Sequence, residues 1–342
     1  MALVSVIVPN YNHARFLEKR LASIANQSFR DFEVILLDDA SSDNSREILK
    51  AWCEQHENWQ YQFNELNSGS PFIQWNKGIA LASAPFIWIA ESDDYCEGNF
   101  LEKLVPLLQN NAQLGIVYGQ SLLVDEQDKV LYSYKENLEF IYKSKVWDKD
   151  FTKNGKLACR EWLLHHNPIP NASGILFRKE AYLKVGQADP KMRLNGDWHL
   201  YAKILLQYDL GFIAEDLNFF RVHQATQRSK SIRNASVYQE LIKINTLIRE
   251  AIPAATKEAD KALDEFANWW IGNLPYHSWT KENWQLNQEL FRFFSAYKNN
   301  LAYRIFLTHL ISYLRDFLKA IGLLKPLKKL RSQLFPGKYW DK

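Results

Sequence analysis

The stretch VSVIVPNYNHARFLEKRLASIANQSFRDFEVILLDD, Val4 to Asp39, decides the fold. It opens with a nearly continuous β-branched run that ends at Pro9 and Asn10, and it closes with a second apolar run, from Phe32, that ends at Asp38 and Asp39. Short apolar runs without polar alternation read as strands covered on both faces, as in a parallel sheet. Between them Phe16, Leu17, Leu21, Ile24 and Ala25 recur at helical spacing, with basic and polar residues opposite. Strand, helix and strand in that order make a right-handed βαβ unit.

The pattern continues outward. SSDNSREILKAWCEQH (41–56) supplies helix-starting Ser and Asp and an apolar face of Ile48, Leu49 and Trp52. WQYQFNE (59–65) reads as a short strand, PFIQWNKGIALA (71–82) as a helix with Pro71 in its first turn, and PFIWIA (85–90) as a buried strand. LGIVYGQSLLVD (114–125) is a further strand, ASGILFRKEAYLKVG (172–186) a strand and a helix, DWHLYAKILLQ (197–207) an amphipathic helix and GFIAEDLNFFRVH (211–223) a final strand. The segment from about 130 to 160, aromatic and lysine-rich, has no clear period and reads as an irregular insertion. Beyond about 230 nearly everything carries helical spacing, so an α/β domain over 1–230 and a helical region over 231–342 are expected.

Bulk composition excludes several classes. The 342 residues are 47% apolar and 24% charged, an ordinary globular balance, and the net charge of +3 gives no general argument for nucleic acid. Cys53, Cys96 and Cys159 are too scattered for a disulfide framework or a zinc site. The N-terminal apolar run lacks a basic flank and no window of about 18 apolar residues occurs, so a cytoplasmic chain is expected.

Chemistry gathers where strands end. IWIAESDDYC (87–96) delivers Glu91, Asp93 and Asp94 to the C-terminal end of a buried strand, and Pro9 to Asn12 and Asp38-Asp39 fall at the same sheet edge. Open α/β sheets bind ligands in the crevice beyond those ends. Alternating carboxylates suit a hard divalent cation whose shell is completed by water and phosphate; capping of the next helix is the competing reading. Asp39 can accept from a ring N–H or a ribose hydroxyl, whereas Asp43 or Ser42 fits the capping of the next helix better.

Taken in order, VSVIVPNYN, FEVILLDDASSDNS, NSGSPFIQWNKGIALASAPFIWIAESDD and NGDWHLYAKIL with FIAEDLNFFRVH resemble the inverting glycosyltransferases of family 2, which have the GT-A fold: a Rossmann-like, mostly parallel sheet flanked by helices. The resemblance covers about residues 3–225. It implies that Pro9, Tyr11 and Asn12 line a base and ribose pocket, with Asp38 beside them and Asp39 reading the base. It implies that Glu91-Ser92-Asp93 stands for the family's D-x-D motif, with Asp93 a direct ligand of Mn2+ or Mg2+ and Glu91 contacting ribose or metal-bound water. Asp94 orients the loop or caps a helix. Trp75 occupies the place of a family Arg; Asn76 and Lys77 then lie near the donor, with Lys77 a cation for the diphosphate. Asp197 matches the general base, and the acid usually preceding it is Gly196. His223 matches a metal- or diphosphate-binding histidine, Arg221 a phosphate contact, and His165 and His166 fall in the acceptor half.

The expected activity is therefore metal-dependent, inverting transfer of a sugar from a nucleotide diphosphate, a UDP-sugar, to a hydroxyl of a saccharide or lipid-linked saccharide in bacterial surface polysaccharide synthesis. The Glu91 and Trp75 departures motivate a rival: a catalytically silent nucleotide-sugar binder or scaffold. In the C-terminal region, leucines mixed with Lys325, Lys328, Lys329 and Arg331 suit a helix lying on the inner membrane face; packing on its own domain or in a homo-oligomer is equally compatible. Trp269, Trp270, Trp279 and Trp284 read as a helical core.

Overall fold

The computed structural model describes residues 2–222, 234–278, 280–297 and 299–320. In chain order the first elements are β1 (Val4–Asn10), α1 (Ala14–Ala25), β2 (Phe32–Asp38), α2 (Ser45–Glu54), β3 (Trp59–Phe63), α3 (Pro71–Leu81), β4 (Phe86–Ile89), β5 (Tyr95–Cys96) and α4 (Phe100–Asn110). There follow β6 (Leu114–Val124), β7 (Val130–Ser133), α5 (Tyr134–Tyr142), β8 (Phe151–Lys153), α6 (Gly155–Ala158), β9 (Ile175–Arg178), α7 (Lys179–Lys184), α8 (Gly196–Leu205) and β10 (Asp209–Arg221). The helices α9 (Ser236–Ala251), α10 (Thr256–Asn273), α11 (Lys281–Tyr297) and α12 (Leu301–Ala320) complete the described chain.

One mixed sheet has the order β3-β2-β1-β4-β9-β6-β10-β5, with β7 on β6 and β8 on β10. The β3-β2-β1-β4 half is parallel, as is the long β6/β10 pair, whereas the short β5, β7, β8 and β9 pair antiparallel. Every residue of β1 and β4 is buried, which is why these strands show no polar alternation. Leu17, Leu21 and Ile24 of α1 pack on Val4, Val6, Leu36 and Trp88 in the main core. The register sets Asn10 beside Asp38 and Ile7 beside Ile89, so the polar segments after β1, β2 and β4 emerge at the same sheet edge.

The expected irregular insertion is ordered. It contains β7, α5 and β8, held by aromatic packing: Trp147 is fully buried, its indole N–H donates to the Tyr118 hydroxyl at 2.9 Å, and its ring lies 5.0 Å from that of Trp162. Elements of three to nine residues are too short for periodicity to appear, and aromatic side chains supply their contacts instead.

The chain forms two compact units, Met1–Ser231 with Gln239–Ala262, and Ile232–Tyr238 with Leu263–Lys342. In the first, Glu240 of α9 accepts from the backbone N–H groups of Arg193, Leu194 and Asn195, at 2.5 to 3.1 Å, and so fixes the loop entering α8. In the second, Trp270 is buried as expected, but Trp269 and Trp284 are 36% and 56% exposed, correcting their assignment to the core; Trp279 lies outside the described residues.

Candidate active site

At the end of β2, Asp38 is wholly buried. It accepts from Asn10 Nδ2 (2.9 Å), Ser41 N–H (2.9 Å) and Arg46 Nε (2.9 Å), so it organises the loop and faces protein partners. Asp39 Oδ1 accepts from Asn64 Nδ2 (2.7 Å), Ser68 N–H (2.8 Å) and Gln74 Nε2 (2.9 Å), and Oδ2 from Ser68 Oγ (2.7 Å). Four donors aimed at one carboxylate fix its orientation. The Asn12 side chain accepts from Ser42 N–H at 2.7 Å, and its own N–H donates to Ser41 Oγ at 2.9 Å. Asn12 and Ala40 both have positive φ, 55° and 62°, which lets these two loops turn back toward one another. Pro9 is buried below them and Tyr11 stands half exposed at the rim.

The acids after β4 divide by environment. Asp94 is buried, with Oδ2 accepting from Asn171 Nδ2 and Ser173 Oγ, both at 2.6 Å, and Oδ1 from Arg221 N–H at 2.8 Å. It ties the acidic loop to β10 and to the turn before β9. Glu91 accepts the indole N–H of buried Trp75 on Oε1 at 2.8 Å. Burial, then the Asp93 carboxylate, push the Glu91 pKa up to about 8, against the Trp75 hydrogen bond and the Arg20 charge. The same two causes raise Asp94 to about 7. Arg20, fully buried on α1, donates Nε to the Glu91 carbonyl at 2.9 Å and places a permanent positive charge beneath both acids. Arg221 is buried as well. Its Nε donates to the Asp93 carbonyl at 2.7 Å, Nη1 to the Asp125 carbonyl at 2.8 Å, and Nη2 pairs with Asp128 at 2.5 Å, so protein groups rather than phosphate engage it. Ser92 Oγ lies 2.9 Å from His13 Nδ1, joining the motif to the start of α1.

Helix α3 links these groups to the expected base. Asp197 lies in the first turn of α8, which starts at Gly196, and its Oδ1 accepts from Trp198 N–H at 2.7 Å. Phe72 packs so closely on Gly196 that a Cβ there would lie 2.3 Å from its ring, while Trp75, one turn on, reaches Glu91. Tyr201 is fully buried, its hydroxyl has no partner among the described residues, and, after burial, the charges of Asp197 and Glu91 both push its pKa well above the ordinary value. The two carboxylates therefore act on one side chain.

Of the other expected residues, Lys77 reaches the Asp39 cluster through Asn64, whereas Asn76 is turned toward Ala188 and Tyr182. Asn76 donates to the Ala188 carbonyl at 3.0 Å and accepts from the Tyr182 hydroxyl, and Lys77 donates to Asn64 Oδ1 at 2.5 Å. His166 packs edge-on against Tyr142, with ring centroids 6.4 Å apart. His223 lies outside the described residues. Sequence reading passed over His13, Arg20, Asn64, Ser68, Gln74 and Ser173, polar residues on helices and loops whose spacing carries no signal until the chain folds.

For a cation, the donor chemistry fits. The groups at this edge are carboxylate oxygens, and Asp93 is half-buried among them. Among the described residues no three His, Cys, Asp or Glu side chains form a ready-made cage.

A family model described as Glycosyl transferase family 2 matches residues 5–186. Glycosyltransferase GlyG of Streptococcus pneumoniae is 27% identical over 219 residues, 64% of this chain and 70% of that one. The GalNAc(5)-diNAcBac-PP-undecaprenol beta-1,3-glucosyltransferase of Campylobacter jejuni is 32% identical over 126 residues, 37% of this chain and 40% of its own. The crystal structure of S. aureus TarS 1-349 in complex with UDP-GlcNAc matches with a TM-score of 0.63 at 18% identity, covering 100% of this chain and 93% of that one, a likeness of fold. Strand-end acids on a GT-A sheet and a family match over residues 5–186 lead to one conclusion: the protein is a glycosyltransferase of family 2.

Proposed function

We propose that residues 1–230 carry out inverting transfer of a sugar from a UDP-sugar to a hydroxyl of a saccharide or lipid-linked saccharide in surface polysaccharide synthesis, with 231–342 as a helical accessory region. The observation that carries this reading is the packed chain from the start of α8 to the acidic motif: Phe72 against Gly196, Trp75 against Phe72, and the Trp75 indole on Glu91. Asp197 takes the proton of the acceptor hydroxyl; that oxygen attacks the anomeric carbon from the side opposite the diphosphate. The carbon–oxygen bond to the diphosphate breaks and its electron pair leaves with the nucleotide. Asp39, with Tyr11 and Asn12, holds the base and ribose. Asp93 would hold Mn2+ or Mg2+, together with His223, and the ion would neutralise charge on the departing diphosphate. The choice of UDP and of a lipid-linked acceptor draws support from the TarS structure with UDP-GlcNAc and from the undecaprenol-linked substrate named for the C. jejuni relative.

Asp197→Asn is expected to keep donor affinity by calorimetry yet lower transfer by about 10²- to 10⁴-fold, the usual contribution of a general base. Unchanged transfer removes Asp197 from the role. The silent-binder reading is favoured by Glu91 and Trp75, which stand where the family has an Asp and an Arg. Slow hydrolysis of a UDP-sugar with Mn2+, lost in Asp93→Ala, separates the two, because a silent binder shows none in either form.

A further inference from the structure

In the C-terminal unit, the segment after α10 and the helices α11 and α12 border an open pocket of about 640 Å³, within the range of ordinary small-ligand sites. Tyr276, Trp284 and Tyr313 line it with rings that are 51%, 56% and 73% exposed. His277, Asn287 and His309 supply polar groups.

The hydrogen bonds define what those groups offer. Asn287 Oδ1 accepts the Trp270 indole N–H at 2.8 Å, and Asn287 Nδ2 donates to the Asn283 carbonyl at 2.9 Å, so the amide orientation is fixed. His277 Nδ1 lies 3.0 Å from the same Oδ1. An amide oxygen only accepts, so Nδ1 carries the hydrogen and Nε2 presents a lone pair. His277 is 6% exposed, and its Nε2 has no partner among the described residues; the same holds for His309 Nε2. A buried acceptor left unpaired is costly, and a ligand hydroxyl donating to it would remove that cost.

We propose that this pocket is a non-catalytic saccharide-binding subsite, which holds a neutral stretch of glycan on the C-terminal unit. A pyranose combines what the lining asks for: hydroxyl donors for imidazole nitrogens and apolar ring faces for Tyr276, Trp284 and Tyr313. Burial lowers the His277 pKa, which keeps the ring neutral and makes it a poor partner for an anion. That the held glycan is the acceptor rests on the transferase reading above; the binding itself does not.

The test uses the full chain, intrinsic tryptophan fluorescence and calorimetry. The probes are neutral tetrasaccharides of glucose, galactose, mannose and N-acetylglucosamine. At least one should bind saturably, and Trp284→Ala and Tyr313→Ala, both at exposed positions, should each weaken it tenfold or more while UDP binding and Mn2+-dependent UDP-sugar hydrolysis stay unchanged. No saturable binding by any probe, or binding indifferent to both substitutions, overturns the proposal. Saccharide binding without donor hydrolysis would leave the subsite standing and refute the catalytic reading instead.

Discussion

Gly196 shows how one residue departs from its family and why the fold tolerates it. The acid expected before Asp197 has no room, because Phe72 occupies the space where a Cβ would stand. Gly196→Ala should therefore lower stability by about 1–3 kcal/mol, the usual cost of overpacking, and Phe72→Leu in the same chain should recover part of it, as measured by urea unfolding. No recovery would mean that the strain lies in the α8 backbone. Glu91 carries a different consequence. Its pKa rises in the folded state from the ordinary 4.5 to about 8, so the native protein binds this proton more tightly than the unfolded chain does. That contribution to stability is fully present below about pH 4.5 and is lost as pH rises toward 8. Glu91→Gln keeps an acceptor for Trp75 without the buried charge, and should stabilise the protein by on the order of 1 kcal/mol at pH 8 and by little at pH 5. Equal effects at both values would count against a buried, proton-binding Glu91.

At the scale of elements, the parallel half of the sheet was legible because β1, β2 and β4 are buried on both faces and its helices keep a 3.6-residue stripe. The 130–160 segment was not, because its elements are stabilised by contacts between Tyr118, Trp147, Trp162 and Phe212, far apart in sequence. Asp43 was legible in part, as a capping residue for α2. What the sequence could not show is that it serves two helices: Oδ1 accepts from Ser45 N–H at 3.1 Å and Oδ2 from Ala14 N–H at 3.0 Å, the first residue of α1. Against burial, which raises it, the hydrogen bonds from the Ser45 hydroxyl and from the Ala14 and Ser45 N–H groups hold the Asp43 pKa below its ordinary 3.8, so its contribution is present above that value and is lost as pH falls through the depressed pKa. Asp43→Ala should cost about 1–3 kcal/mol by removing two caps, and should weaken UDP binding because the loops carrying Asn12 and Asp39 are anchored there. Asp43→Asn, which keeps the acceptor for one helix, should lose less in both measurements.

Across the whole molecule, the sheet edge was readable because position alone sends strand-end residues to one place, whereas partner identity needed the fold. Asp38 and Asp39 are adjacent and chemically alike, yet one is closed by Arg46 and Asn10 and the other faces Asn64, Ser68 and Gln74. The C-terminal region poses the matching question at larger scale. No helix among the described residues is long and apolar enough to cross a membrane. Yet α12 exposes Tyr303, Phe306, Leu310, Leu314 and Phe317, which recur at three- and four-residue spacing and so lie along one side of the helix. The sequence that follows carries Lys325, Lys328, Lys329 and Arg331. An apolar stripe next to basic residues binds anionic bilayers by burial and by charge together, with about 1 kcal/mol from each Lys or Arg near the surface. We therefore expect the full chain to sediment with vesicles containing phosphatidylserine and to be released by salt. Phe306→Ser with Leu310→Ser should reduce the bound fraction even at low salt, since the apolar contribution goes while the charges remain. If the doubly substituted chain still pellets as before, α12 is not the attachment element; if the unmodified chain never pellets, the stripe serves self-association, which sedimentation velocity would then register as a dimer or larger species.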